Sequence, residues 1–312
     1  MRENDEPTEV HDFGSMLSTP LESRIPLLVG GHSANMTRTR FAPSPTGRLH
    51  LGHVFAAKVA RDLARQKGGE FLLRFEDIDT TRVRAEFYAG IEEDLRWLGL
   101  DWDGVPLRQT DRLAAYDQAL KALQSAGVVY PCFCTRREID DEIARMSGAP
   151  QGPEGPLYPG TCRRLDPAER AAKLAGGLPF SWRLDAGAAG HIAGPLTFDD
   201  CIHGTIAVDP LLLGDVILAR KDIGTSYHLA VVVDDAFQGI SHVTRGEDLL
   251  PSTHVHRLLQ TLLGYPEPQY VHHRLMLDDH GKRLAKRHDS LALRAMRDQG
   301  LTPEDVLARL AD

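Results

Sequence analysis

The spacing of apolar positions changes several times along this chain, and each change marks an element. Over residues 54–65, Val54, Ala57, Ala60, Leu63 and Ala64 recur at helical spacing, which predicts an amphipathic helix. Residues 71–79, Phe-Leu-Leu-Arg-Phe-Glu-Asp-Ile-Asp, read as a buried strand that ends in carboxylates. Residues 86–98 read as a helix with Ile91, Leu95 and Leu98 on one side. A second, 111–126, turns Leu113, Tyr116, Leu120 and Leu123 inward. Strands alternating with helices predict an α/β fold with a parallel sheet.

The alternation has one interruption. Residues 147–160 are rich in Gly and Pro and carry loop chemistry. The region 132–200 reads as an insertion with its own small fold. Helix–strand alternation resumes near Leu211, with Val-Ile-Leu-Ala at 216–219 and Leu-Ala-Val-Val-Val-Asp-Asp at 229–235. The expected units are therefore 37–131, the insertion 132–200, a return at 201–255 and a helical segment at 256–312. Thr302-Pro-Glu-Asp305 has the form of a capping box with Pro at the first helical position. Residues 1–36 lack sustained periodicity and read as a disordered extension.

Composition narrows the class. The chain has 312 residues, is 42% hydrophobic and 26% charged, and carries a net charge of −8. A protein that held nucleic acid nonspecifically would be basic, so any RNA must meet a local basic patch. No apolar run reaches the length of a membrane span, and residues 25–29 are too short for a signal-peptide core. Four cysteines do not make a disulfide framework in a chain of this length. These features lead to the expectation of a soluble, cytoplasmic protein.

The chemistry concentrates at both ends of the patterned region. Pro43 and Pro45 forbid a regular helix in Arg-Phe-Ala-Pro-Ser-Pro-Thr-Gly at 40–47, while the residues after His50 read as helix. His50 and His53 therefore flank a helix start, where free amides and the positive end of the helix dipole favour anions. The Walker and G-x-G-x-x-G patterns are both absent from the sequence. Near the C-terminus, Gly-Lys-Arg-Leu-Ala-Lys-Arg-His at 281–288 is either a solvated basic face or a loop suited to polyphosphate.

Together these segments resemble the signatures of class I aminoacyl-tRNA synthetases: His-Leu-Gly-His at 50–53 is similar to HIGH, and Arg-Leu-Ala-Lys-Arg at 283–287 to KMSKS. The KMSKS serine position holds Ala285, which removes one hydroxyl. Residues 40–47, Leu-Arg-Phe-Glu-Asp-Ile-Asp at 73–79 and Val-Thr-Arg-Gly-Glu-Asp-Leu-Leu-Pro-Ser at 243–252 are similar to glutamyl-tRNA synthetases. A full enzyme of that kind continues far beyond its KMSKS loop, whereas about 25 residues follow Arg287 here. That shortened form resembles the glutamyl-Q tRNA(Asp) synthetase family.

The resemblance implies a Rossmann-like catalytic domain with an inserted zinc-binding subdomain and a short C-terminal helical segment. It implies activation of L-glutamate with ATP and magnesium without tRNA, then transfer of the glutamate to queuosine at the wobble position of tRNA(Asp). The catalytic body would hold the anticodon arm, the protein would work as a monomer, and no membrane is involved. His50, His53 and Lys286 would be catalytic, with Gly52 beside them at ATP. Glutamate needs guanidinium groups for its carboxylates and an acid for its ammonium. Arg40 and Arg245 with Glu76 fit those roles, and Ser44 and Tyr227 add hydroxyls. Arg74, Asp77 and Asp79 are read as structural.

Cys132, Cys134 and Cys162 alone suit inert buried thiols as well as a metal; with Tyr158, the family pattern makes them ligands for one zinc. Cys201 lies outside the set and is read as packing. Arg294 and Arg297 fit an RNA contact or solvated charge equally. The alternatives are a truncated glutamyl-tRNA synthetase, a small-molecule adenylyltransferase or a noncatalytic tRNA-binding paralogue. Met36 directly precedes the patterned region, so a start at Met36 competes with a genuine extension. Mass spectrometry of the native N-terminus separates them, since peptides from residues 2–30 in the mature protein would exclude the later start.

Overall fold

The computed structural model describes residues 36–146, 151–153, 155–276 and 293–310. The 1–36 extension therefore lies outside the described residues, apart from Met36, as does the whole KMSKS-like segment with Lys286 and Ala285.

A parallel sheet forms the centre. Strands β1 (Arg38–Phe41), β2 (Glu70–Phe75) and β3 (Leu107–Arg108) pair in parallel in that order. Helix α1 (Leu51–Gln66) connects β1 to β2, and α2 (Ala85–Trp97) connects β2 to β3. Helix α3 (Leu113–Ser125) follows. It buries Tyr116, Leu120 and Leu123, but Leu113, expected to face inward, is 46% exposed. A 3-10 turn over Gln109–Arg112 precedes α3 and sets Leu113 at the helix start, on the solvent side.

The chain then leaves the main sheet. Strands β4 (Val129–Cys132), α4 (Arg136–Arg145), the short pair β5 (Gln151–Gly152) and β6 (Gly155–Pro156), α5 (Pro167–Ala175), β7 (Ser181–Leu184) and α6 (Ala186–Ala193) follow in order. Strand β7 pairs antiparallel with β4 on one side and with β10 (Ile217–Ala219) on the other. Between them, β8 (Thr197–Asp200) and β9 (Gly204–Ala207) form a hairpin. This hairpin joins a second parallel group, because β8 pairs with β12 (Gln269–His273), which pairs with β11 (His242–Gly246). Strand β1 lies beside β11, where Ser241 N donates to Arg38 O at 3.0 Å. Helices α7 (Tyr227–Gln238) and α8 (Leu250–Leu263) cover this half, and α9 (Leu293–Asp298) and α10 (Pro303–Ala308) follow.

Helix α7 corresponds to the run at 229–235, which is buried without a break. Seven successive buried positions cannot show helical periodicity, because the helix is covered on every side. Its two adjacent carboxylates serve opposite neighbours. Asp234 accepts from Arg112 Nε (3.0 Å), Gln109 Nε2 (3.1 Å) and Tyr116 OH (2.7 Å) on the α3 side. Asp235 accepts from Arg40 Nε of β1 (2.9 Å) and from Arg74 Nη2 of β2 (2.6 Å). Burial alone would raise the Asp235 pKa, but the two guanidinium groups hold it below the ordinary carboxylate range. Thr302 and Asp305 cap α10 as the sequence suggests: each backbone amide donates to the other's side chain. Arg297 pairs with buried Asp94 and with Glu93, both of α2, so it ties α9 to that helix.

Asp235→Asn leaves Arg40 and Arg74 buried without their carboxylate. The expected loss is about 3–5 kcal/mol, measured by urea denaturation. Because the folded pKa of Asp235 is depressed, its contribution is complete above the unfolded value of about 3.9 and fades as pH falls through the folded value. The variant should therefore show a shallower acid-induced loss of stability than the unmodified chain.

Candidate active site

Two cavities open where parallel strands end, on either side of the point at which β1 has β2 as one neighbour and β11 as the other. Crevices of this kind form because chains leave neighbouring strands in opposite directions. The first cavity, of about 400 Å³, is lined by Ser44 and Thr46 after β1, Glu76, Ile78, Asp79 and Arg82 after β2, and Arg220, Tyr227 and His228 around the start of α7. The second, of about 140 Å³, is lined by His50, Gly52 and His53, by Gly246 and Asp248 after β11, and by His273 and Met276 at the end of β12.

His50 is the N-cap of α1. Its Nδ1 accepts from Gly52 N at 3.1 Å, and His53 Nδ1 accepts from His50 N at 3.3 Å. Each neutral ring that accepts at Nδ1 carries its proton on Nε2. The capping arrangement thus puts both ring protons on Nε2 at a helix N-terminus, with ring centroids 3.8 Å apart. Gly52 gives the His50 ring room, since a Cβ would stand 3.1 Å from His50 Cε1 and 3.2 Å from Nδ1 and the ring would have to yield by a few tenths of an ångström.

In the first cavity Glu76 follows β2 directly, and its backbone amide donates to Pro43 O at 3.1 Å. Desolvation raises its pKa to about 7 against the opposing pull of Arg74 and Arg40. Ser44 and Tyr227 line the same space. The two arginines expected at glutamate differ in their partners. Arg40 is buried and spends its guanidinium on Asp235 and on Thr244 O (3.1 Å). Arg245, also buried, meets neutral groups: His272 Nε2 (3.2 Å), His256 Nδ1 (2.9 Å), Tyr227 OH (3.4 Å) and Thr253 Oγ1. Ser44, Glu76 and Tyr227 are thus brought together directly, while Arg40 and Arg245 stand behind the cavity wall.

Four ionisable residues of this cavity escaped the sequence reading. Arg82, Arg220 and His228 are unremarkable as text, and Asp79, read as structural, lines the space while accepting from Thr81 Oγ1 at 2.6 Å. The preceding carboxylate, Asp77, is structural as expected: it is buried and accepts from Tyr88 OH (2.6 Å) and Thr110 N (2.9 Å).

At the end of β4, in the insertion, Cys132, Cys134 and Cys162 place their sulfurs within 4.8 Å of one another. Cys134 Sγ is 3.4 Å from Cys162 Sγ, and Tyr158 OH lies 3.4 Å from Cys132 Sγ and 3.6 Å from Cys134 Sγ. A tetrahedral zinc with bonds of about 2.0–2.3 Å has ligand–ligand edges of about 3.3–3.8 Å, so the four donors are spaced for one ion. Phe133 N donates to Cys162 Sγ at 3.3 Å, and Cys162 N to Tyr158 OH at 2.9 Å. The Arg183 guanidinium lies 3.9 Å above the Tyr158 ring. Hydrogen bonds from Cys134 and Cys162 hold the Cys132 thiol far below its ordinary pKa. Cys201, expected to pack, is exposed instead, because it sits in the turn between β8 and β9.

Residues 36–311 match the family of tRNA synthetases class I (E and Q), catalytic domain. The chain is 50% identical to a glutamyl-Q tRNA(Asp) synthetase of Rhodobacter capsulatus over 276 residues, spanning 86% of this chain and 97% of that protein. It is 40% identical to a glutamate–tRNA ligase of Aquifex aeolicus, of which it spans 55%. Among solved structures it resembles a glutamate tRNA ligase from Elizabethkingia meningosepticum in complex with its amino acid. There the TM-score is 0.68 at 32% identity, covering 80% of this chain and 52% of that one.

The thiol cluster predicts close to one tightly held metal per chain by elemental analysis of purified protein, and Cys162→Ser is expected to reduce it severalfold. A content well below one would show that the donors form a thiol cluster without an ion.

Proposed function

The chain belongs to the class I tRNA synthetases of the E and Q family and is a ligase, and we propose that it activates glutamate with ATP and passes it to queuosine of tRNA(Asp). The observation that carries this reading is the pairing of an acid of raised pKa, Glu76, with hydroxyls of Ser44 and Tyr227 in one cavity. The imidazole donors of His50 and His53 line the neighbouring cavity. The first space suits an amino acid, with Glu76 opposite its ammonium and the Tyr227–Arg245 side opposite a carboxylate. The second suits a phosphate chain.

In the first step a glutamate α-carboxylate oxygen attacks the α-phosphorus of ATP. The new O–P bond forms as the bond to pyrophosphate breaks. The Nε2–H groups of His50 and His53 stabilise the charge that gathers on the phosphate oxygens, and Lys286, outside the described residues, is assigned to the same task. Magnesium enters with ATP and offsets its negative charge. In the second step a hydroxyl of the queuosine cyclopentene-diol attacks the adenylate carbonyl, and AMP leaves. Positioning of the two reactants carries much of this step.

Zinc is the metal we assign to Cys132, Cys134, Tyr158 and Cys162. It would tie β4 to the segment after β6 and hold the insertion against the catalytic sheet, where the insertion can meet the anticodon arm. The anticodon-arm assignment draws support from the relatives named for queuosine, and the monomeric, cytoplasmic state is part of the same reading.

Glutamate-dependent ATP–pyrophosphate exchange without tRNA, followed by charging of tRNA(Asp) with and without queuosine, tests the function. Exchange and queuosine-dependent charging are expected; equal charging of both tRNA forms would overturn the acceptor, and absence of exchange the activation step. Protonation of Glu76 removes the partner of the substrate ammonium, so KM for glutamate should rise as pH falls through about 7 and stay level above it. Glu76→Gln should abolish that pH dependence and raise KM on the order of 10- to 100-fold. Gly52→Ala should push the His50 ring off the Gly52 amide and lower kcat on the order of 10-fold, with little change in glutamate KM.

A further inference from the structure

His50 and His53 line the second cavity, but the residues just before His50 are held from behind, by the C-terminal part of the chain. Leu293, the first residue of α9, donates its backbone N–H to Leu49 O at 2.9 Å. Leu49, Leu293 and Met296 are buried in one apolar core with Ile91 and Leu95 of α2. Arg297, one turn after Leu293, donates to Asp94 Oδ1 at 3.2 Å and lies 3.0 Å from Glu93 Oε1. Its guanidinium is thus committed to α2 rather than left to solvent.

Asp94 is fully buried, and its Oδ2 has no hydrogen-bond partner among the described residues. A carboxylate in that position needs cations close by. Two of them share with Asp94 the wall of a third cavity, of about 180 Å³: Arg297 and Arg48. Arg48 stands two residues before His50. Its guanidinium lies on Gly90, one turn before Asp94 on the same face of α2, where a Cβ would stand 2.7 Å from Arg48 Cζ. Desolvation raises the Asp94 pKa, and the charges of Arg48 and Arg297 pull against that rise. One carboxylate thus reaches both residues that precede His50. It acts on Arg48 through charge, and on Leu49 through Arg297 and the first turn of α9.

We propose that Asp94, Arg48 and Arg297 are positioning residues, which hold the loop before α1 where His50 caps the helix and both imidazoles meet the phosphate chain. The proposal rests on the reading of the second cavity as the phosphate site. His50 caps α1 from an extended backbone, at φ −127° and ψ 170°, and its ring reaches the Gly52 amide only from there. Pro43 and Pro45 supply no amide donors to fix the loop from within, so anchors outside it take that part. None of the three charged residues lines either substrate cavity. They act through His50 and not on the substrate.

The test uses the full chain. Arg297→Met keeps the stem and removes the donors, and Gly90→Ala displaces the Arg48 guanidinium while favouring the helix. Both should lower kcat of glutamate-dependent ATP–pyrophosphate exchange on the order of 10-fold, with KM for glutamate unchanged. Arg297→Lys should recover most of the loss. In 1H–15N spectra both variants should shift the Gly52 amide and speed its hydrogen exchange, while the Glu76 amide, bonded to Pro43 O, stays as it was. A merely structural role would disturb both amides alike and move kcat and glutamate KM together, and that result would overturn the proposal. So would an unchanged Gly52 amide and kcat in both variants. If the unmodified chain shows no exchange, the activity fails separately, and the Gly52 amide alone decides whether the coupling exists.

Discussion

One carboxylate holds the two strand ends and the helix that frame the first cavity. Asp235 of α7 receives Arg40 from β1 and Arg74 from β2, and all three side chains are buried. A charge in that position is tolerable only with its partners, since desolvation without them is prohibitive. The triad therefore fixes α7 against the sheet. The first residue of α7 is Tyr227 and the residue after β2 is Glu76, so the same contact sets the two sides of the cavity relative to each other.

The arrangement divides the arginines by role. Arg40 and Arg74 share the single charge of Asp235 and fasten α7 to the sheet. Arg245 keeps its charge because imidazoles, a hydroxyl and a phenol surround it. Arg245 makes no ion pair among the described residues, and the cavity beside it is lined by Tyr227 and His228. Glu76 lies across it with a pKa near 7, poised by desolvation against two nearby guanidinium groups. An amino acid with two carboxylates and one ammonium complements that distribution of charge.

The insertion uses a different source of order. Helices α4 and α5 bury no residue of their own, and beside them lies a small apolar cluster around Tyr130, Cys132 and Cys162, whereas Leu184, Ala189 and Phe198 of the insertion join the larger cores. Units of that kind gain stability from a metal or equivalent cross-link. Cys132, Cys134, Tyr158 and Cys162 converge there, with donor separations of 3.4–3.6 Å between Tyr158 and Cys132, Tyr158 and Cys134, and Cys134 and Cys162.

The sequence by itself determined the α/β alternation, the helices after His50 and Arg84, the strand that delivers Glu76 and the capping of α10. These depend on local periodicity, Pro and Gly placement and capping residues, all of which act within a few positions. It also pointed to His50 and His53, through the loop-to-helix context around them, and to the cysteines through the resemblance to a family pattern rather than through their spacing alone. Tertiary structure alone decided that Leu113 faces solvent, that Cys201 is exposed, and that β8 and β9 extend the sheet containing β11 and β12. It likewise decided that Arg40 is bound to Asp235 while Arg245 meets neutral groups, and that His228 lines the cavity while its ring contacts His256. Those outcomes depend on which residues, distant in sequence, share a buried space. Burial converts ordinary Asp, Arg and His into matched sets only after the chain has closed around them.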